Sequence, residues 1–71
     1  MPPAKAPDLA LVQSSLLSLK RVLISARVEL QEACLLAERI GDRALVARLQ
    51  QYAALVANEL DYADGRIERL S

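Results

Sequence analysis

Apolar residues recur at alternating spacings of three and four on both sides of a single glycine, Gly41, and no other feature constrains the chain as much. The first run is Leu9, Val12, Leu16, Leu19, Leu23, Ala26, Leu30, Ala33, Ala37 and Ile40; the second is Val46, Leu49, Ala53, Val56, Leu60, Ala63, Ile67 and Leu70. Spacing of this kind keeps all members of a run on one stripe of a helix, so each run predicts a long helix with a continuous apolar seam. Two seams separated only by a short break at Gly41 and Asp42 predict an all-α fold, an antiparallel two-helix hairpin.

The ends of the two helices follow from local chemistry. Residues 1–7 contain all three prolines and predict a flexible, extended N-terminal arm, leaving 8–71 for the hairpin. Asp8 suits an N-cap, where its carboxylate accepts from orphan amides at the positive end of the helix dipole. The first helix is expected over about residues 8–40, a length on the order of 50 Å at 1.5 Å per residue. Gly41 suits a left-handed C-terminal position, and Asp42 can cap a second helix over about residues 43–70. Gly65 lies inside that helix at a cost of roughly 1 kcal/mol relative to Ala, which predicts fraying or a kink after Asp64.

A reversal at Gly41 and Asp42 places residues level when their numbers add to about 82 or 83. Ala37 then meets Val46, Ala33 meets Leu49, Leu30 meets Ala53, Ala26 meets Val56, Leu19 meets Ala63 and Leu16 meets Ile67. Each alanine lies opposite a larger side chain, the volume matching that two closely packed helices need. The same register puts Lys20 level with Asp64 and Ser15 level with Arg66; exposed pairs of this kind select orientation more than they stabilise.

Such a hairpin has few other means of support. A chain of 71 residues is one small domain, and domains of that size are marginal without a disulfide, a metal or a partner chain. One cysteine, Cys34, and no histidine leave no intrachain disulfide and no zinc site with the usual ligands. Cys34 reads as a small apolar filler at a helix edge, with a redox role or a covalent dimer as the alternatives. A reducing, cytoplasmic setting is the simplest expectation.

Nine basic and nine acidic side chains give a formal net charge of zero and are scattered along both helices, which argues against a nucleic-acid footprint. The uncharged stretch from Leu9 to Leu19 is short and is interrupted by Gln13, Ser14, Ser15 and Ser18, so no membrane span is expected. Asp8 at its start and the lack of a small-residue cleavage site weigh against a signal peptide.

The residues left outside the seams bear on function. The first helix carries a second apolar stripe, Leu17, Ile24, Val28 and Leu35, interrupted by Arg21 and Gln31 and separated from the seam by Lys20 and Arg27. The second carries Leu45, Tyr52, Leu55 and Tyr62, interrupted by Arg48 and Glu59. A helical wheel puts the two stripes on opposite sides of the hairpin plane, and a lone hairpin cannot cover both. Each large apolar side chain left fully in water forgoes roughly 1.5 to 3 kcal/mol, and contiguous patches of this kind mark interfaces. These eight residues are the candidate partner-binding site. Burial in a homodimeric four-helix bundle is one reading; the other gives one stripe to self-association and the second to a foreign helical protein. Tyr52 and Tyr62 suit an interface with a wet rim, although ordinary packing accounts for them equally well.

Catalytic chemistry has no footing in these residues. There is no histidine to act as a base near neutral pH, and no nucleophile elbow, glycine-rich phosphate loop or acidic metal cluster. Glu29 with Glu32 and Asp61 with Asp64 share helix faces and read as solvated surface. No enzyme, cofactor, metal or small-molecule substrate is expected.

Three non-enzymatic readings follow. The turn Arg39, Ile40, Gly41, Asp42 followed by Leu49, Gln50 and Gln51 resembles the small helical-hairpin co-chaperones of type III secretion needle subunits, over the last half of the chain. The resemblance implies a cytoplasmic bacterial adaptor that pairs with a second chaperone to keep a needle subunit monomeric. The seam beginning at Leu9 departs from that family, whose first segment tends to be a separate short helix. A small dimeric regulator or phage-type inhibitor is the second reading. The third is RNA binding by a four-helix bundle, resting on the modest basic cluster of Lys20, Arg21 and Arg27, which Glu29 and Glu32 follow directly.

Overall fold

A computed structural model describes residues 8–70, and the expected N-terminal arm lies outside the described residues. The chain forms two helices, α1 (Leu9–Ile40) and α2 (Arg43–Leu70), of 32 and 28 residues, which pack against each other as an all-α hairpin.

The helix ends follow the expected chemistry. Asp8 adopts an extended conformation, and its carboxylate accepts from the Ala10 amide at 2.9 Å and the Leu11 amide at 3.4 Å. At the other end of α1, Gly41 takes φ +74°, a conformation that glycine reaches without the Cβ penalty other residues carry. The Gly41 amide donates to the Glu38 carbonyl and the Asp42 amide to the Ala37 carbonyl, both at 3.1 Å, a Schellman closure that satisfies two orphan acceptors. Asp42 then caps α2 by accepting from the Leu45 amide at 3.0 Å. One residue thus ends the first helix while the next begins the second.

Gly65 does not interrupt α2, which continues to Leu70. The expected fraying or kink gives way to a continuous helix: the penalty of roughly 1 kcal/mol is small beside the seam contacts on either side, and Ala63 and Ile67 are both withdrawn from solvent.

Every seam residue of α2, from Val46 to Leu70, is buried or half-buried. On α1, Leu16 and Ala37 are buried and Val12, Leu23, Ala26, Leu30 and Ala33 are half-buried, whereas Leu9, Leu19 and Ile40 stand exposed. Geometry explains two of them: Leu9 lies level with a position beyond the end of α2, and Ile40 lies where the chain reverses; Leu19, at 36%, is the least exposed of the three. The buried core among the described residues is only Leu16, Ala37, Leu60 and Ala63. Lys20 and Asp64 form an ion pair at 2.7 Å, which ties the two helices close to the expected register.

Candidate functional site

The Lys20–Asp64 pair also orients the outer surface. With Leu16 and Leu60 as the first positions of a heptad, Lys20 and Asp64 both occupy the e position, so the two e edges meet on one side of the hairpin. On α1, Leu17, Ile24, Val28 and Leu35 occupy the b and f positions, beyond that e edge. On α2, Leu45 and Tyr52 occupy g, and Leu55 and Tyr62 occupy c, beyond the opposite edge. The two outer stripes therefore lie on opposite sides of the hairpin plane.

All eight candidate residues are exposed, from Ile24 at 38% to Leu35 at 61%. The α2 side is wider than its own four residues. Val22 and Leu36 occupy g on α1 and Leu11 occupies c, all at 61% exposure or more, and they belong to the same side as Tyr52 and Leu55. Sequence reasoning missed these three because Ser15, Ser18, Ser25 and Glu29 interrupt them. Apolar residues at g positions, which a simple two-stranded coil fills with charge, were the available signal.

Side-chain contacts organise the α2 side further. The Arg66 guanidinium donates to the Tyr62 hydroxyl at 2.7 Å and stands 5.7 Å from the centroid of its ring. Arg66 was expected level with Ser15, and its contact is with Tyr62 instead, four residues back on its own helix and so directly alongside it. The contact holds Tyr62 in the stripe. On the other side, the Asp64 carboxylate takes up Lys20, one of the three cations of the basic cluster.

Cys34, partly buried at the e edge, has its thiol Sγ 3.8 Å from a Glu38 carboxylate oxygen, to which it donates. Partial loss of hydration, and then the adjacent Glu38 charge and hydrogen bond, push the thiol above its ordinary value. The thiolate is thereby disfavoured, and with it nucleophilic reactivity near neutral pH. An open groove of about 420 Å³ at the turn is lined by Glu38, Gly41, Arg43, Val46, Ala47 and Gln50. Among the described residues, no group of three or more His, Cys, Asp or Glu is placed to hold a metal ion.

By length and composition α1 is apolar enough to cross a membrane, with an 18-residue window of mean hydropathy 1.3 of which 6% is buried. The charge-free stretch ends at Leu19; a window tolerant of two charges runs on across Lys20 and Arg21. Its apolar residues divide among the seam against α2, the α1 stripe and, with Leu11 and Val22, the side that carries the tyrosines.

No family model, no curated protein and no solved structure matches the chain.

Proposed function

We propose that this protein is a non-enzymatic interaction module of the adaptor or co-chaperone kind, which works by docking helical protein surfaces on its two outer faces. The observation that carries the reading is the imbalance between core and surface: four buried hydrophobic residues against fourteen large exposed ones among those described. Monomeric proteins expose single apolar residues freely, but contiguous stripes at helical spacing are what helix-in-groove and bundle partners recognise. The co-chaperone form of the reading draws its support from the resemblance of residues 39–51.

The test is site-specific photo-crosslinking in the native cell, with the probe placed in turn at Leu17, Val28, Tyr52 and the solvated control Asp61, which lies outside both stripes. Discrete cross-linked protein bands from the stripe positions, absent from the control and lost in Leu17→Asp or Tyr52→Asp backgrounds, are expected. Cross-linking no stronger from the stripes than from Asp61 would overturn the reading.

A further inference from the structure

The α2 stripe is self-complementary. Leu45, Arg48, Tyr52, Leu55, Glu59 and Tyr62 are spaced three, four, three, four, three, a sequence that reads the same from either end, with its midpoint between Ala53 and Ala54. A twofold axis through that midpoint, perpendicular to the helix, sets α2 antiparallel against α2 of a second copy. Leu45 then meets the second copy's Tyr62, Tyr52 meets its Leu55, and Arg48 meets its Glu59. The two charges that interrupt the stripe are opposite in sign and fall on each other.

We propose that the face formed by Leu45, Tyr52, Leu55 and Tyr62, flanked by Val22 and Leu36, is the homodimer interface, with α2 packed antiparallel on α2 of the second copy and Arg48 paired to Glu59 across the twofold axis. The proposal rests on the reading of the outer faces as protein-docking surfaces and names the occupant of one of them. Arg48 and Glu59 are both exposed, and neither has an ion-pair partner within the described residues. Eleven residues apart, about 16 Å along the axis, they are too distant to pair within their own helix. Leu45, Tyr52, Leu55, Tyr62, Val22 and Leu36 are each 41 to 66% exposed. Together they offer on the order of 600 Å² of mainly apolar surface, near the ~800 Å² per partner of a standard specific interface once its polar rim is added.

The α1 stripe lacks the charge match. Its spacing, four, three, four, three, four about Ala26, is equally palindromic, but its interrupting residues are Arg21 and Gln31, so a twofold pairing of α1 with itself sets a cation against a neutral amide, and Arg27, close to the axis, brings a further cation from each copy. Electrostatic complementarity of this kind selects partners and fixes register more than it adds affinity. It therefore assigns the second copy to α2 and leaves the α1 stripe to a different partner.

Charge exchange tests the geometry. Sedimentation equilibrium or light scattering across a concentration series should give a two-chain species for the wild type. Arg48→Glu and Glu59→Arg should each raise the dimer dissociation constant on the order of tenfold. The double variant R48E/E59R should return it to near the wild-type value, and an equimolar mixture of the two single variants should form a mixed dimer. Circular dichroism on each variant confirms the helices. A wild-type monomer at high concentration, a dimer indifferent to all three variants, or a double variant no better than either single would overturn the proposal. So would a monomer that floats with phosphatidylcholine–phosphatidylserine vesicles through Tyr52 and Tyr62, which would make the occupant a lipid surface. These failures are separable from failure of the docking reading. A dimer that ignores the charge exchange, or a monomer that still cross-links to a foreign protein, removes only the α2 geometry, whereas a monomer with no cross-link from either stripe removes both.

Discussion

The two outer stripes have the same number of large apolar residues at the same helical spacing, yet the residues that interrupt them differ. Arg21 and Gln31 break the α1 stripe, while Arg48 and Glu59 break that of α2. Apolar periodicity establishes that a face will be covered; it carries little information about what covers it, because desolvation is non-directional. The polar residues inside a stripe are directional, and on this chain they separate a face that matches itself from one that does not. The surroundings reinforce the contrast. The α2 stripe is widened by Val22 and Leu36 and braced by the Arg66–Tyr62 contact, whereas the α1 stripe is bordered by Lys20, Arg27 and Cys34.

A charge placed in each stripe should break this comparison most visibly. Tyr52→Asp is expected to weaken self-association on the order of a hundredfold, since it buries an unpaired carboxylate at the centre of the interface. Leu17→Asp should leave the dimer intact and instead abolish cross-linking to a foreign protein. Equal effects of the two on the dissociation constant would erase the distinction between the faces.

Smaller effects come from changes that alter the hairpin without touching either stripe. Gly41→Ala should destabilise the fold by about 1 to 2 kcal/mol, because φ +74° forces a Cβ into the left-handed region; chemical denaturation measures it. Gly65→Ala should stabilise by up to about 1 kcal/mol, because a Cβ there meets only the end of the flexible Arg69 side chain, at an ordinary 3.7 Å. If either glycine variant changed the dimer dissociation constant at fixed helicity, self-association would not be confined to the α2 stripe.

The smallest expected effect is chemical. The Cys34 thiol lies above its ordinary value through partial desolvation and Glu38, so its thiolate fraction at any pH below that value is lower than for a free cysteine. Alkylation by iodoacetamide near pH 8 should be slower than for a free cysteine and should accelerate on raising the pH. Glu38→Gln, which removes the charge, should speed it modestly at fixed pH. Alkylation as fast as that of free cysteine would show the α1 side to be more open than the hairpin implies.

Most of the fold was legible because its signals are local or periodic. Caps at Asp8 and Asp42 need only a short polar side chain before a helix, Gly41 needs only a left-handed turn, and a seam at three-and-four spacing defines both a helix and its buried face. The α2 seam appeared residue by residue. The misses have equally physical origins. Leu19 stands exposed within the seam, and the exposure of Leu9 and Ile40 depends on how far the opposite helix reaches. The contact that Arg66 makes is local: Tyr62, one turn back on its own helix, offers a hydroxyl and a ring face. Leu11, Val22 and Leu36 share a face that Ser15, Ser18, Ser25, Glu29 and Glu32 interrupt, which hides their periodicity.

By itself, then, the sequence determined two helices, the Gly41–Asp42 reversal and two outer stripes, since all of these depend on spacing along a helix and on residues within a turn of one another. What only the tertiary structure decided is how far the pairing of the two helices covers each residue and which side-chain contacts form: Leu9, Leu19 and Ile40 of the seam stand exposed, Gly65 leaves α2 unbroken, and Lys20 and Asp64, level by spacing, close to 2.7 Å. These outcomes depend on packing and charge between chain segments distant in sequence, which spacing along one helix does not record.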